Sequence, residues 1–261
     1  MSTKAPREPE TVASLARGLA VIECFGDGSN ALTLSEVARR ARISRAAARR
    51  LLHTLVALGY AGFDGKAFSL RPRVLRLGFA YLSSTSVWDV AREWMDELVR
   101  ETGESCSAAV LDGTDIVHII RKPSARRLMS IAVRVGDRLP AHASAMGRVM
   151  LAALPSAELE RYFDVVQLRA LTPRTITDPR KLRAELDRVR LQGYSEVNGE
   201  LDLALKAIAV PVIDAQGTTV GAIALSSLAD GTADNALLAP LQRCAAGIRK
   251  ALAGLPSLPD R

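Results

Sequence analysis

Arginine side chains are concentrated in one short stretch of this 261-residue chain. Residues 39–50 contain six arginines and no acidic residue. A guanidinium group presents five donors in a planar fork, which suits phosphate oxygens and the O6 and N7 atoms of guanine. The stretch leads directly into Leu51-Leu52-His53-Thr54-Leu55, so its charges are predicted to lie on an ordered helix. The chemistry that this region favours is recognition of a nucleic acid.

The net positive charge of the chain is confined to its first third. Residues 1–83 hold 13 of the 35 Lys and Arg residues and 6 of the 28 Asp and Glu residues, a net charge of +7. The remaining residues hold 35 − 13 = 22 basic and 28 − 6 = 22 acidic residues. This division predicts a basic module that faces DNA, joined to an electrically balanced module.

Residues for catalysis or metal binding are sparse and lack the usual spacing. The histidines are His53, His118 and His142. The cysteines are Cys24, Cys106 and Cys244. No HExxH, CxxC, GxSxG or phosphate-loop pattern is present, which predicts a protein that is not an enzyme and needs no metal or cofactor. The cysteines are odd in number and far apart, which predicts a reduced, cytoplasmic protein. The lack of an apolar run of about 18 residues predicts that no segment spans a membrane.

The elements before residue 72 are predicted to form a winged helix-turn-helix. A first helix runs from Ser14 to Phe25, with apolar residues at intervals of three and four. Thr33 and Glu36 have the spacing of a capping box for a second helix. Ser44 is a cap for a third helix that extends to about Leu58. The Asp64-Gly65 pair between two short runs of residues predicts a hairpin, which would be the wing.

The third helix is predicted to separate a core side from a reading side. At about 100° per residue, the core side holds Ala48, Leu51, Leu52, Leu55 and Leu58. Small residues near its start allow close approach to a major groove. The residues predicted to contact DNA are Thr33, Ser35, Ser44, Arg45, Ala46, Ala47, Arg49, Arg50, His53 and Lys66. For His53, a phosphate contact and a resting place on the helix surface are equally compatible with the sequence.

A linker helix and a second domain are predicted to follow. The predicted boundaries are 12–72 for the DNA-binding domain, 73–88 for the linker and 89–255 for the second domain. Apolar residues after Pro72 are expected to contact a second copy of the chain, and the alternative is packing on their own domain. Strands are predicted at 105–110, 115–120, 129–135, 207–213 and 219–226, and helices at 87–102, 144–154, 178–192 and 234–253. Antiparallel strands with helices give an α+β fold.

A site for a small anion is predicted at the start of the Ser144 helix, because the first amides of a helix favour negative charge. Arg127 and Arg148 could pair with a carboxylate, and exposure to solvent is the alternative for both. Glu196 and Glu200 lie near a turn and are expected to be solvated.

Four segments carry a resemblance to a known family: residues 14–22 (SLARGLAVI), 34–38 (LSEVA), 139–148 (LPAHASAMGR) and 193–211. They resemble IclR-type transcriptional regulators over nearly the whole chain. Residues 68–83 and 146–152 are most similar to the regulators of the β-ketoadipate pathway. The resemblance implies a winged-helix domain, a linker helix and a GAF-like effector domain, assembled as a dimer or a dimer of dimers.

The implied partners are operator DNA, RNA polymerase and a small carboxylic acid such as protocatechuate, 4-hydroxybenzoate or β-ketoadipate. With the residues above, the expected effector contacts are Arg127, Met129, His142, Ser144, Ala145, Met146, Val197, Glu200, Ala207, Ser226 and Ser227. Val197 and Ala207 depart from the polar residues that are usual in the family, which leaves room for an aromatic ring. The alternatives are a regulator of another small-acid or sugar-acid pathway, or an enzyme with an accessory DNA-binding domain.

Overall fold

The computed structural model describes residues 11–26, 29–82, 86–124, 133–229 and 234–253. The chain divides into two compact units, Met1–Ser84 and Thr85–Arg261. Among the described residues, no helix combines the length and the apolar character that crossing a bilayer requires.

The first unit is the predicted winged helix-turn-helix. Its core is formed by side chains from the three helices and the hairpin, among them Val21, Val37, Leu52 and Phe68. Its elements are α1 (Ala13–Glu23), α2 (Leu34–Arg40), α3 (Arg45–Ala57), β1 (Ala61–Phe63), β2 (Phe68–Leu70), a 3-10 turn (Pro72–Val74) and α4 (Leu75–Leu82).

The wing is built as the Asp64-Gly65 pair predicts. Strands β1 and β2 pair antiparallel, with Phe63 opposite Phe68. Gly65 has a φ of 97°, a backbone conformation that residues with a Cβ rarely adopt. Leu32 adds a bridge to the outer side of β2, since its amide donates to the Phe68 carbonyl at 2.9 Å and its carbonyl accepts from the Phe68 amide at 2.8 Å. These bonds fix the wing to the segment that precedes α2.

Helix α4 occupies part of the predicted linker. It follows the 3-10 turn and reaches Leu82, and the next helix begins at Ser86. The side chains of Leu75, Leu77 and Phe79 are exposed by 71%, 46% and 66%. These three large apolar side chains are thus not packed on their own domain, and their contact with a second copy of the chain stays a prediction.

The second unit is an antiparallel sheet with helices. Its strands lie in the order β5-β4-β3-β8-β7-β6, and each neighbouring pair is antiparallel. The strands are β3 (Ser105–Asp112), β4 (Asp115–Lys122), β5 (Arg138–Pro140), β6 (Ser195–Asn198), β7 (Leu205–Ile213) and β8 (Thr219–Leu228). The helices are α5 (Ser86–Thr102), α6 (Ala145–Ala153), α7 (Ser156–Val165), α8 (Pro179–Gln192) and α9 (Asp234–Ala253).

Alternate residues of β8 serve the two faces of this sheet. Ala222 and Ala224 belong to the core cluster that includes Met150 of α6 and Leu186 of α8. Gly221 belongs to the opposite face and lies against Trp88 of α5. An added Cβ there would come within 2.6 Å of the indole ring. The sheet is therefore covered on both faces, and α6 lies on one of them.

The predicted strand at 129–135 is wrong over its described part. Residues 129–132 lie outside the described residues, and residues 133–135 are not in a strand. A turn replaces it, because the Asp137 carboxylate accepts a hydrogen bond from the Arg134 amide at 2.7 Å and Gly136 has a φ of 94°. The edge strand is instead β5. Helix α7 and strand β6 were not predicted, whereas the other predicted helices and strands of this unit are confirmed.

Candidate functional site

Helix α3 presents a basic face to solvent. The Ser44 hydroxyl accepts a hydrogen bond from the Ala47 amide at 3.2 Å, which caps the helix as predicted. Ala48, Leu52 and Leu55 are buried on one side. The exposed side carries Arg45, Ala46, Arg49, Arg50 and His53. The expectation that Leu58 faces the core is wrong: its side chain is 52% exposed, because it follows the last helical residue.

The exposed arginines of α3 are available for a ligand. The side chains of Arg45, Arg49 and Arg50 make no hydrogen bond or ion pair within the part of the chain that the structure describes. Arg40 differs, since its guanidinium donates to the Cys24 carbonyl at 3.0 Å and to the Ser29 hydroxyl at 3.3 Å. Arg40 therefore ties α2 to the end of α1, whereas the α3 arginines leave uncompensated positive charge on one surface.

Thr33 has a role within its own helix. Its hydroxyl donates to the Glu36 carboxylate at 2.7 Å and accepts from the Glu36 amide at 3.4 Å, and the Thr33 amide donates to the same carboxylate at 2.7 Å. The hydrogen bonds from Thr33 lower the pKa of Glu36. The structure thus assigns the Thr33 hydroxyl to the capping box, and its contact with DNA stays a prediction, as does that of the exposed Ser35.

The wing lies next to α3 through an aromatic cluster. The His53 ring meets Phe63 and Phe68 edge to face, with ring centroids 6.2 and 5.8 Å apart. This contact places the exposed His53 beside the wing aromatics, an environment that the sequence did not predict, and its contact with a phosphate stays a prediction. Lys66 is exposed at the tip, where the Asp64 carboxylate accepts from the Lys66 amide at 2.8 Å. Its exposure at the tip leaves the Lys66 ammonium accessible, and its contact with a DNA phosphate stays a prediction.

A cavity lies between the sheet of the second unit and the N-terminus of α6. Its apolar wall includes Ile116, Leu139, Met146 and Leu201. Its polar groups come from Ser107, His118, Arg121, Ser144 and Ser226. The other lining residues are Val133, Ala143, Ala145, Val197, Leu205, Ala207 and Ala224. An apolar chamber with a few convergent polar groups is the usual form of a small-molecule site.

Six of the predicted effector residues line this cavity: Ser144, Ala145, Met146, Val197, Ala207 and Ser226. Ser227 does not, because it follows Ser226 on β8 and so points to the opposite face of the sheet. Arg127 and Met129 lie outside the described residues.

The cavity holds its positive charge at Arg121. Ser107 of β3 and Arg121 of β4 are register partners, and the guanidinium donates to the Ser107 hydroxyl at 3.0 Å. Burial lowers the pKa of Arg121, yet a guanidinium stays protonated in a protein. A cation beside a hydroxyl in a largely apolar chamber is suited to a carboxylate.

His118 is a buried polar group of the same wall. His118 is 3% exposed, and its Nδ1 lies 3.4 Å from the Asp137 carbonyl oxygen. Burial is the main cause that lowers its pKa below 6.5. The imidazole is therefore neutral at pH 7 and can take part in hydrogen bonding without carrying charge.

Arg148 and Glu200 form an internal ion pair. Arg148 is 1% exposed, and its two terminal nitrogens donate to the Glu200 carboxylate at 2.7 and 2.5 Å. Glu200 is 8% exposed and also accepts from the Ile176 amide at 2.9 Å. The expectation that Glu200 is solvated is wrong, and of the two alternatives for Arg148 the structure shows pairing with a carboxylate, here that of Glu200. Each residue supplies the charge that allows the other to be buried. Neither lines the cavity, so the structure does not place Glu200 at the effector.

His142 lies behind the cavity wall. Its carbonyl accepts from Arg148 Nε at 2.8 Å, and its Nε2 lies 3.1 Å from the Arg169 carbonyl. The residue is 1% exposed and burial lowers its pKa. The structure therefore gives His142 a packing role next to the effector cavity, and an effector contact stays a prediction.

Sequence reasoning missed Ser107, His118 and Arg121 as cavity residues. Ser107 and His118 are polar residues with apolar neighbours on both sides in β3 and β4. That exception was the available signal. A register shift between Ala108 and Ala109 brings Ser107, His118 and Arg121 to the same face of the sheet. The sequence does not show this shift, because it becomes visible only when the strands are paired.

Comparison with known proteins matches both units. The model described as the IclR helix-turn-helix domain matches residues 14–65, and the model described as the bacterial transcriptional regulator IclR C-terminal domain matches residues 79–250. The Pca regulon regulatory protein of Pseudomonas putida is 44% identical over 220 residues, which cover 84% of this chain and 76% of that protein. The p-hydroxybenzoate hydroxylase transcriptional activator of Acinetobacter baylyi is 39% identical over 226 residues, which cover 85% and 83%.

Among solved structures, an IclR homolog from Microbacterium hydrocarbonoxydans in complex with 4-hydroxybenzoate is similar to this chain. It has a TM-score of 0.83 at 27% identity, over 93% of this chain and all of that one (100%). The fold of both units is thus that of a solved, ligand-bound relative.

Proposed function

Because this chain belongs to the IclR family of bacterial transcriptional regulators, we propose that an aromatic acid bound in the cavity controls its action on genes of aromatic-acid breakdown. The winged helix-turn-helix binds operator DNA, for which the uncompensated arginines of α3 supply the charge. The family is one of transcriptional regulators, and we propose that the chain has no catalytic activity.

The effector class rests chiefly on one observation, the pairing of Arg121 with Ser107 inside a largely apolar cavity. A carboxylate would bind at the guanidinium. The ring would pack against Met146 and Val197, since Val197 and Ala207 make this part of the wall apolar, whereas a small oxoacid would need polar groups there. The names of the Pseudomonas and Acinetobacter relatives, and the 4-hydroxybenzoate in the Microbacterium protein, support the same class.

Control of transcription needs a link between the cavity and DNA. We propose that the chain acts in the cytoplasm as a dimer or a dimer of dimers, with the apolar residues of α4 in the contact. An effector that binds one arrangement of the paired helices better than another shifts their spacing and changes the affinity for paired half-sites. A contact with RNA polymerase is part of the same proposal.

A thermal-shift panel tests the effector class. Protocatechuate and 4-hydroxybenzoate are expected to raise the unfolding temperature of the full chain in a concentration-dependent way, because ligands that bind the folded state stabilise it. β-Ketoadipate tests a non-aromatic acid of the same pathway. A shift with pyruvate or glyoxylate and none with the aromatic acids would show instead a regulator of another small-acid pathway.

A further inference from the structure

We propose that Arg50 reads a guanine in each operator half-site and that Ala46 lies over the neighbouring base pair, whereas Arg49 holds the DNA backbone. This assignment rests on the binding of DNA through α3 and goes beyond it by separating the residue that determines sequence from the residue that determines only affinity. It does not depend on the effector.

The buried side of α3 defines which residues point most directly outward. Ala48, Leu52 and Leu55 fix the direction of the core. At about 100° per residue, Ala46 and Arg50 lie within roughly 30° of the opposite direction, whereas Arg49 lies about 90° from it. Ala46 and Arg50 are one helical turn apart in the first half of α3, so both can enter a major groove together.

Apart from the arginines, the polar side chains of the exposed face already have partners. The Thr54 hydroxyl donates to the Arg50 carbonyl at 2.8 Å, and the Ser44 hydroxyl caps the helix. The His53 ring packs on the wing. Helix α3, with the sequence RAAARRLLHTLVA, contains no Asn, Gln, Asp or Glu. It therefore lacks the side chains that pair with adenine or cytosine edges, and direct reading is limited to an arginine fork on guanine and an alanine methyl beside a thymine methyl.

Positive charge flanks Arg50 on both sides. The groove between α1 and α3 is lined by Arg17 and Arg50, together with Ser14, Leu15 and Thr54. Arg49 lies on the other flank, one turn before His53 and the wing. Cations on the flanks of an inserted helix meet the phosphates that border the groove, while the central position meets base edges. This arrangement gives Arg17 and Arg49 the phosphates and Arg50 the bases.

Selection from a randomised DNA library tests the assignment without a known operator. The wild-type chain is expected to select half-sites with a guanine as the most constrained base. Arg50→Gln is expected to replace this guanine by adenine, because a glutamine amide pairs with N6 and N7 of adenine. On the wild-type sequence its affinity should fall by about 5- to 150-fold, the range for loss of one bidentate base contact.

Arg49→Gln is the matched control. It should select the same sequence as the wild type, bind all sequences more weakly by a similar factor, and lower the slope of log affinity against log salt by about one. Arg50→Lys keeps the charge but not the fork, so it should retain the salt slope and lose much of the preference for guanine. The two substituted positions, Arg49 and Arg50, carry exposed side chains, and equal unfolding temperatures of the three variants and the wild type would verify that folding is intact.

Two results would overturn the proposal. An unchanged sequence preference for Arg50→Gln would show that Arg50 does not read the bases, and an altered preference for Arg49→Gln would show that the two roles are exchanged. If the wild-type chain selected no sequence at all, DNA binding through α3 would itself be wrong, so the failure of the function and the failure of this inference give different results.

Discussion

Single residues determine the chemistry of the effector cavity, and Arg121 is the central one. Its position could not be predicted from the sequence, because an arginine near the end of an apolar strand is usually solvated. Strand pairing places it beside Ser107 in the cavity wall, where we propose that it binds the carboxylate of the effector. By contrast, Ser144, Ala145 and Met146 were predictable, because they begin a capped helix in a recognisable motif.

Replacement of Arg121 should abolish recognition of the carboxylate. In Arg121→Gln, a neutral side chain of similar length loses a charge-assisted hydrogen bond, and the affinity for 4-hydroxybenzoate should fall at least about tenfold. Isothermal titration calorimetry measures this directly. Arg138→Gln, an exposed arginine on β5 that pairs with Asp112 and Asp115, is the control and should bind as the wild type does. Equal affinity of Arg121→Gln and wild type would remove Arg121 from the site.

The buried histidines should make stability depend on pH. Burial lowers the pKa values of His118 and His142 below 6.5, so between pH 7.5 and 5.5 the unfolded chain takes up protons that the folded chain resists. Uptake by the unfolded state lowers the free energy of unfolding as the pH falls. Urea unfolding at the two pH values measures the loss, which should be smaller in His118→Gln. A chain that is as stable at pH 5.5 as at pH 7.5 would contradict this account.

At the scale of elements, the Arg148–Glu200 pair joins α6 to two loops. Arg148 holds the His142 carbonyl ahead of the helix, and Glu200 holds the Ile176 amide. The pair thus connects the segment before Ser144 with Leu201, and both border the cavity. Local propensity predicted where α6, α8 and α9 begin and end, but it could not reveal this connection, because the two charges are 52 residues apart.

Removal of one member of this pair should destabilise the second unit strongly. Arg148→Met leaves the Glu200 carboxylate buried without its partner, which typically costs about 3–5 kcal/mol. The double variant Arg148→Met/Glu200→Leu removes both charges and should recover much of the loss, while Glu185 keeps its ion pair with Arg188. Urea unfolding of both variants gives the comparison. If the double variant were less stable than Arg148→Met, the pair would contribute more to the stability than offsetting the cost of burying each other's charge.

At the scale of the whole molecule, the exposed apolar side chains of α4 are the surface through which we propose that the chain self-associates. Leu75 and Phe79 are four residues apart and so lie on one face of the helix. The apolar pattern of this segment was evident in the sequence. What it contacts was not, because a repeating apolar pattern predicts a buried face without identifying its partner.

Charge on this face should separate the subunits. Leu75→Asp/Phe79→Asp is expected to sediment as a monomer at concentrations where the wild type is a dimer or larger, because an interface core excludes unpaired carboxylates. Binding to paired half-sites should weaken with it. Arg76→Asp, an exposed neighbour on the same helix, should keep the wild-type sedimentation coefficient. Unchanged association of the double variant would place the interface elsewhere.

The central claim is that an aromatic acid in the cavity controls the affinity for DNA. Fluorescence anisotropy with the DNA selected by the wild-type chain, at fixed salt, measures that affinity with and without saturating 4-hydroxybenzoate or protocatechuate. The account predicts that at least one of them changes the DNA affinity of the wild type about fivefold or more, and that Arg121→Gln shows no such change at the same concentration. An unchanged wild-type affinity with both acids, together with a change caused by pyruvate or glyoxylate, would contradict it.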